Sequence, residues 1–213
     1  MKNTVFLIVR HGESLANAMN VYLGHTDTDL SELGYKQAEA CAPALGGVHI
    51  DAIYSSDLIR ASHTAEPHAR LRGMEVVLCR ELRELNVGLW ENRRIDDIIA
   101  EWGDEFLVGW RQNYGTFCPP GGEAVLDGGK RVCRELVRIA KAHPGEVVLI
   151  ASHAAVIRAS WGLVSNIPPE AMGRDTRFPT NASVTRIEFD GERLIPIEYS
   201  SDSHIKSAGL ECR

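Results

Sequence analysis

LIVRHGESLAN, residues 7–17, joins a run of aliphatic residues directly to an arginine, a histidine and a glycine. The aliphatic run is typical of a strand buried in a sheet. Arg10 and His11 follow it at once, and both side chains are costly to bury without partners. A buried strand that is followed by a cation and an imidazole therefore predicts a functional site at the carboxyl end of that strand.

Strand-like and helix-like segments alternate along most of the chain. Continuous apolar runs occur at 4–9, 51–56 and 146–152, with a weaker one at 74–80. Helix-forming stretches lie between them, at 31–46, 58–72 and 130–143. This alternation predicts an α/β fold of three layers, with a largely parallel central sheet and helices on both faces.

Two segments interrupt the alternation. In SVTRIEFDGERLIPIEY, residues 183–199, two β-rich halves flank Asp190-Gly191, which predicts a hairpin at an edge of the sheet. Residues 91–128 are rich in tryptophan and end near a Pro-Pro-Gly-Gly turn. We interpret them as a small, partly helical cap inserted into a single domain that spans residues 1–213.

Local signals refine the helices. Ser31 and Asp57 are candidate N-caps for the first and second of them. Pro67 is expected to bend or divide the second helix, because proline removes a backbone hydrogen bond and crowds the preceding turn.

Composition narrows the function classes. The chain carries a net charge of −6, which argues against nucleic acid or an anionic membrane surface as a partner. The apolar stretch near the N-terminus is too short for a signal peptide or a membrane span. Five scattered cysteines without a Cys-x-x-Cys pair indicate reduced thiols and a cytoplasmic protein. They are Cys41, Cys79, Cys118, Cys133 and Cys212.

The pattern of the opening stretch recurs at two further strands. His153 follows the strand EVVLIAS, and Arg60 lies in the first turn of the helix after the strand AIYSS. Because the carboxyl ends of parallel strands meet at one crevice, Arg10, His11, Arg60 and His153 are expected to converge there. Two guanidinium groups and two imidazoles favour a phosphate group as ligand.

These residues stand in blocks that resemble the histidine phosphatase superfamily, which includes phosphoglycerate mutases and many small phosphatases. LIVRHGESLAN resembles its Arg-His-Gly signature, and GHTDTDLSELGYKQA resembles the segment that follows it. YSSDLIRASHTA, ELRELNVGLWE and SHAAVIR resemble the blocks of the second arginine, the catalytic acid and the second histidine. The resemblance implies the fold, chemistry through a phosphohistidine, and no metal or other cofactor.

The resemblance also implies roles for individual residues. His11 would be the nucleophile and Glu84 the proton donor, with His153 as a further catalytic residue. Binding of the phosphoryl group or the substrate would fall to Arg10, Asn17, Gly24, Arg60 and His153. Glu84 would have to be protonated to help an alkoxide leave, and then ionised to activate water. Ala154 departs from the glycine that the family usually has after the second histidine.

The leading hypothesis is a metal-independent phosphomonoester hydrolase acting on a small phosphorylated metabolite. A cofactor-dependent mutase of the phosphoglycerate type is the alternative within the same chemistry. Two stretches differ from the mutase pattern and favour hydrolysis. They are Leu15-Ala16-Asn17 and the Leu-Arg-Glu-Leu-Asn sequence around Glu84. A non-catalytic phosphate-binding module would not need Glu84. A zinc enzyme is disfavoured because the eight histidines include no His-Glu-x-x-His or comparable spacing.

Overall fold

The computed structural model describes residues 2–110 and 112–211. Its strands are β1 Thr4–Arg10, β2 Val21–Tyr22, β3 Ala52–Ser55, β4 Val76–Leu78, β5 Arg93–Arg94, β6 Val147–Ser152, β7 Val184–Phe189 and β8 Leu194–Ser201. Six of them form the main sheet in the order β4-β3-β6-β1-β7-β8, and β2 pairs with β5 in a separate ribbon. The four strands from β4 to β1 are parallel, while β7 and β8 run antiparallel at one edge. The predicted sheet and its edge hairpin are confirmed.

Helices cover both faces of this sheet. They are α1 Leu15–Ala18, α2 Glu32–Ala44, α3 Ile59–Arg72, α4 Ile95–Asp104, α5 Val125–Ala142, α6 Ala154–Val164, α7 Met172–Asp175 and α8 Ser203–Ser207. Side chains of β1 alternate between the two layers, as the pleat of a strand requires. Phe6 and Ile8 belong to the core that includes α5 and α6, whereas Leu7 and Val9 belong to the core that includes α2 and α3. The predicted three-layer arrangement is therefore confirmed.

The start of α3 differs from the sequence-based prediction. Ser31 does cap α2, where its side chain accepts a hydrogen bond from the Gly34 N–H. Asp57, by contrast, pairs with Arg83 through two hydrogen bonds of 2.6 and 2.7 Å. The first N–H of α3, that of Ile59, is instead capped by Asp27, at 2.8 Å. The cap comes from a distant loop because the adjacent carboxylate is already paired.

Two glycines and a proline lie inside helices that continue through them. Pro67 is buried within α3, which runs unbroken to Arg72, so the proline does not divide it. Helix α5 begins five residues before the predicted start and includes Gly128 and Gly129. A Cβ on Gly129 would lie 2.9 Å from the Ala159 Cβ of α6. Close packing of α5 on α6 outweighs the poor helix propensity of glycine here.

The C-terminal segment closes over the α2 side of the sheet, a role that the sequence does not reveal. Ile205 of α8 is fully buried in the core shared with α2 and α3. The backbone carbonyl of Glu211 accepts a hydrogen bond of 2.6 Å from Gln37, whose side-chain oxygen in turn accepts one from the Glu13 N–H. The segment therefore packs beside the loop that follows β1.

The edges of the sheet and the thiols complete the description. Strand β4 has only three residues, and β8 contains Pro196 opposite Ile187, with register shifts in its pairing to β7.

The four cysteines in the described residues are free thiols, and Cys212 lies outside them. Across residues 2–110 and 112–211, helices with the length and apolar character to span a bilayer are absent.

We predict that Ile205→Ala lowers the free energy of unfolding by about 2–5 kcal/mol, the usual cost of truncating a buried isoleucine. Ile197→Ala is the matched control, because this side chain on β8 is 46% exposed and its truncation should cost less than about 1 kcal/mol. Urea titration of both variants measures the difference. Equal losses would mean that α8 is not part of the cooperative fold.

Candidate active site

Pairing of β1 with β6 sets the positions of the two histidines. In the parallel register, Arg10 lies opposite Ser152, so that His11 and His153 each follow directly at the strand ends. The His11 N–H donates to the Ser152 carbonyl at 2.9 Å and extends this pairing by one residue. The ring centroids of the two histidines are 5.2 Å apart. The predicted convergence of the two histidines is therefore seen.

His11 is held in a form suited to nucleophilic attack. Its Nδ1 lies 2.6 Å from the Gly12 carbonyl oxygen, which only accepts, so Nδ1 carries the proton in this bond. Burial lowers the pKa of His11 well below its usual value, and the Arg60 and Arg10 guanidinium groups lower it further. The ring is therefore neutral near pH 7, with its free electron pair on Nε2.

Arg60 is placed by a loop between β2 and α2. Its guanidinium donates to the carbonyls of Thr26 at 3.0 Å and Gly24 at 2.7 Å, and the side chain is 2% exposed. The same loop donates three N–H groups, from residues 24–26, to the carboxylate of Glu91 at 2.9–3.1 Å. Glu91 thus fixes the loop that fixes Arg60. Sequence reasoning gave Glu91 no role, although it stands in the quoted block ELRELNVGLWE.

Gly24 lies behind Arg60 rather than in the crevice lining. A Cβ at this position would be 2.2 Å from the Leu85 carbonyl oxygen, so the loop can pass here only without a side chain. The structure thus gives Gly24 a contact with Arg60, whereas the sequence predicted a contact with phosphate or substrate.

Arg10 and Asn17 lie on the other side of His11. Arg10 donates to the Pro179 carbonyl at 2.6 Å and is 8% exposed. Asn17 uses its Oδ1 to accept from the Ser14 N–H at 3.1 Å, in the capping box of α1. Its Nδ2 makes no hydrogen bond within the described chain. Both side chains line the crevice.

His153 is fully buried and stands beneath the crevice rather than in its lining. Its Nε2 lies 2.8 Å from the Ser56 hydroxyl, which follows β3. Burial lowers the pKa of His153 well below its usual value, with further contributions from Arg60 and His11. His153 therefore adds a neutral imidazole to the site.

Glu84 occupies the N-terminus of α6. Its Oε1 accepts from the N–H groups of Leu85 at 2.9 Å and Val156 at 3.1 Å, and its Oε2 accepts from Ala155 at 3.0 Å. The carboxylate thus takes the anion position that a helix N-terminus offers. Glu84 is 7% exposed and also lines the crevice, so its carboxyl group is both anchored and accessible to a ligand.

Two residues that the sequence did not single out hold Glu84 in place. Arg131 of α5 donates to the carbonyls of Glu81, Arg83 and Glu84 at 2.7–3.2 Å, and pairs with Glu123 at 2.8 Å. His25 donates from Nε2 to the Glu84 carbonyl at 2.9 Å. Neither has a local sequence signal, because each acts through a backbone carbonyl far away in the chain.

The crevice itself has a volume of about 210 Å³. Of the predicted residues, it is lined by Arg10, His11, Asn17, Arg60 and Glu84. Ala154, which stands where the family usually has glycine, lines the crevice as well. Its remaining wall is largely apolar or aromatic and includes Tyr22, Trp110 and Phe178. Among the described residues, no three metal-ligating side chains come together.

This arrangement can bind and attack a phosphoryl group. Two guanidinium groups flank a neutral imidazole whose Nε2 is free, and they match the charge on the equatorial oxygens of a phosphoryl group in transfer. The carboxyl group of Glu84 lines the same crevice and can supply the proton that a leaving oxygen needs.

Comparison with known proteins supports this interpretation. Residues 6–201 match the family model described as histidine phosphatase superfamily (branch 1). The chain is 35% identical over 173 residues to a 2,3-bisphosphoglycerate-dependent phosphoglycerate mutase of Rhizobium etli, covering 78% of this chain and 82% of the relative. It is 32% identical over 202 residues to phosphoserine phosphatase 1 of Hydrogenobacter thermophilus, covering 93% of each. The solved structure of a mycobacterial glucosyl-3-phosphoglycerate phosphatase with VO3 has a TM-score of 0.83 at 30% identity, covering 94% of this chain and 100% of that one.

We predict that Arg60→Met raises the pKa of His11, because a nearby cation disfavours the imidazolium form. Phosphate affinity should fall at least about tenfold with the loss of charge-assisted hydrogen bonds. Titration of the His11 ring by ¹⁵N NMR and calorimetry with inorganic phosphate measure the two effects.

Arg80→Met is the matched control, because Arg80 is an exposed arginine that does not line the crevice. It should leave the titration midpoint of His11 and the phosphate affinity unchanged. A midpoint of His11 that stays the same or falls in Arg60→Met would contradict the electrostatic role of Arg60.

Proposed function

Since the chain belongs to the histidine phosphatase superfamily, we propose that it is a metal-independent phosphomonoester hydrolase that forms a phosphohistidine on His11. Its substrate is a small phosphorylated metabolite. The observation that carries this proposal is the neutral, buried His11, whose Nδ1 proton is held by Gly12 and which shares the crevice with Arg10 and Arg60.

In the first step, Nε2 of His11 attacks phosphorus and the bond from phosphorus to the ester oxygen breaks. Arg10 and Arg60 balance the charge of the phosphoryl oxygens, with Asn17 as a further contact. His153 supports the site from beneath the crevice, as a neutral imidazole next to His11. The Gly12 carbonyl stabilises the positive charge that the ring gains, because it stays bonded to the Nδ1 proton. Two fixed guanidinium groups make a metal unnecessary for charge neutralisation.

Glu84 handles the proton in both steps. It gives a proton to the departing oxygen and later takes one from the water that attacks the phosphohistidine, which releases phosphate and restores His11. The backbone N–H groups of α6 hold the carboxylate while it is ionised. Glu84 therefore regains in the second step the proton that it gives up in the first.

Residues 91–128 form a cap over this site in the proposed domain, which spans residues 1–213. Ile95 and Trp110 from this segment line the crevice, so the segment contacts the leaving group of a bound substrate. The four cysteines among the described residues are free thiols, which favours a reducing compartment, and we propose a cytoplasmic location.

A mutase of the phosphoglycerate type is the second candidate, because a relative of that name covers most of the chain. Such an enzyme must protect its phosphohistidine from water, whereas a hydrolase exposes it. Leu15-Ala16-Asn17 and the sequence around Glu84 favour the hydrolase. The lifetime of the phosphoenzyme in plain buffer distinguishes the two: it is short for a hydrolase and long for a mutase.

We predict that rapid quenching with ³²P-labelled substrate traps an acid-labile, alkali-stable adduct on His11. The adduct should be absent in His11→Ala and should form at the same rate after exhaustive chelation. An adduct on serine or cysteine would overturn the proposed nucleophile. Loss of activity on chelation, with recovery on addition of zinc or magnesium, would overturn metal independence.

We further predict that Glu84→Gln slows phosphorylation of His11 by about a hundredfold or more with an alkyl phosphate, the usual range for general acid catalysis. With p-nitrophenyl phosphate the same step should slow far less, because nitrophenolate leaves without a proton. Single-turnover rates on both substrates measure the step directly. Equal losses on the two substrates would assign Glu84 a structural role and place the acid elsewhere.

A further inference from the structure

The crevice adjoins a second cavity, of about 410 Å³. The two spaces share four lining residues, Tyr22, Ile95, Trp110 and Phe178. The second cavity adds Phe106, Arg158 and Arg177. A phosphomonoester bound at His11 would therefore direct its leaving group past Glu84 and toward these side chains.

The wall of this cavity is aromatic and packed in advance of any ligand. Trp110 stacks on Phe178, with ring centroids 5.5 Å apart and an interplanar angle of 26°. Tyr22 meets Trp110 and Phe106 edge to face, at 5.6 and 5.9 Å. Because the rings hold one another in place, the cavity suits a flat or apolar body.

Arg158 brings a buried positive charge to the same cavity. It is 3% exposed, and its guanidinium lies 4.0 Å above the Tyr114 ring and 4.4 Å above the Phe178 ring. Its Nε and Nη2 donate only to the Thr176 hydroxyl and to backbone carbonyls. Among the side chains of residues 2–103, 106, 108–110 and 112–211, Nη1 has no hydrogen-bond partner and the guanidinium has no carboxylate partner.

Arg177 is a second arginine without a carboxylate. Its side chain is exposed, lines the cavity, and makes no hydrogen bond or ion pair to the described residues. Its neighbour Arg174, in contrast, pairs with Asp175 at 2.7 Å. In a chain with an excess of acidic residues, two arginines beside an aromatic cavity thus have no carboxylate partner among the described side chains.

We propose that the leaving group of the substrate has an aromatic or otherwise apolar body and carries a carboxylate, which pairs with Arg177 above Arg158. This inference rests on the proposed hydrolysis at His11. The body packs against Trp110 and Phe178. A carboxylate fits because its two oxygens can accept from the guanidinium fork of Arg177 and from the free Nη1 of Arg158. The dianionic phosphoryl group is instead bound by the arginines next to His11.

The test compares substrates that differ in one charge alone. The substrates are the O-phosphates of three acids, 4-hydroxyphenylacetate, 3-(4-hydroxyphenyl)propanoate and 4-(4-hydroxyphenyl)butanoate. Each is paired with the primary amide of the same acid. The methylene groups separate the acid from the ring, so the leaving phenol changes little within a pair. We expect kcat/KM to favour the acid by about five- to tenfold for at least one chain length, as for a partly exposed charge-assisted pair.

Arg177→Met should abolish this preference by lowering kcat/KM for the acid toward the value for the amide, because the cation that pairs with the carboxylate is removed. Arg174→Met is the matched control, since it removes the same charge from the same segment outside the cavity. It should keep the full preference. Thermal unfolding verifies that both variants are folded.

A preference near one for every chain length in the wild type, with both members of each pair hydrolysed, would overturn the inference and leave the proposed function intact. A preference that survives in Arg177→Met would also overturn it. Failure to hydrolyse any of the substrates, together with no phosphohistidine, would instead reject the proposed function.

Discussion

The parallel register of β1 and β6 is the constraint on which the site depends. With Arg10 opposite Ser152, both strands end at one level, and the residue after each of them is a histidine. A shift of one residue would turn the alternating side chains of β1 to the opposite layers and separate the two imidazoles. The register itself is fixed by burial on both faces, since Phe6 and Ile8 pack in one core and Leu7 and Val9 in the other.

The hydrogen bonds that hold Arg60 go to carbonyl oxygens rather than to carboxylates. Arg60 is neutralised only partially, by the dipoles of Gly24 and Thr26, so its charge remains available to a phosphoryl group. The carboxylate of Glu91 acts one step away, on the N–H groups of the same loop. A carboxylate in direct contact with Arg60 would compete with the substrate. The indirect arrangement holds the Arg60 guanidinium in place and leaves its charge available to bind a phosphoryl group.

The sequence predicted those parts of the structure that depend on neighbouring residues. The continuous apolar runs identified the strands, Ser31 identified the start of α2, and Asp190-Gly191 identified the hairpin. The parts it missed depend on contacts between distant segments. Asp27 caps α3 from 32 residues away, and Arg131 of α5 holds the Glu84 loop. Glu91 anchors the loop of residues 24–26, which follows β2. The segment around α8 has no pattern of its own, because its burial depends on a groove that other elements create.

The antiparallel edge of the sheet also limits what the chain can assemble into. An exposed edge strand offers a row of donors and acceptors on which another strand can add, which is the first step of edge-to-edge aggregation. In β8 the proline at 196 leaves a gap in that row, and the register shifts against β7 disturb its spacing. At the opposite edge, β4 is only three residues long. Growth of this sheet by strand addition is therefore disfavoured at both ends, and self-association of this chain would have to use helical or loop surfaces instead.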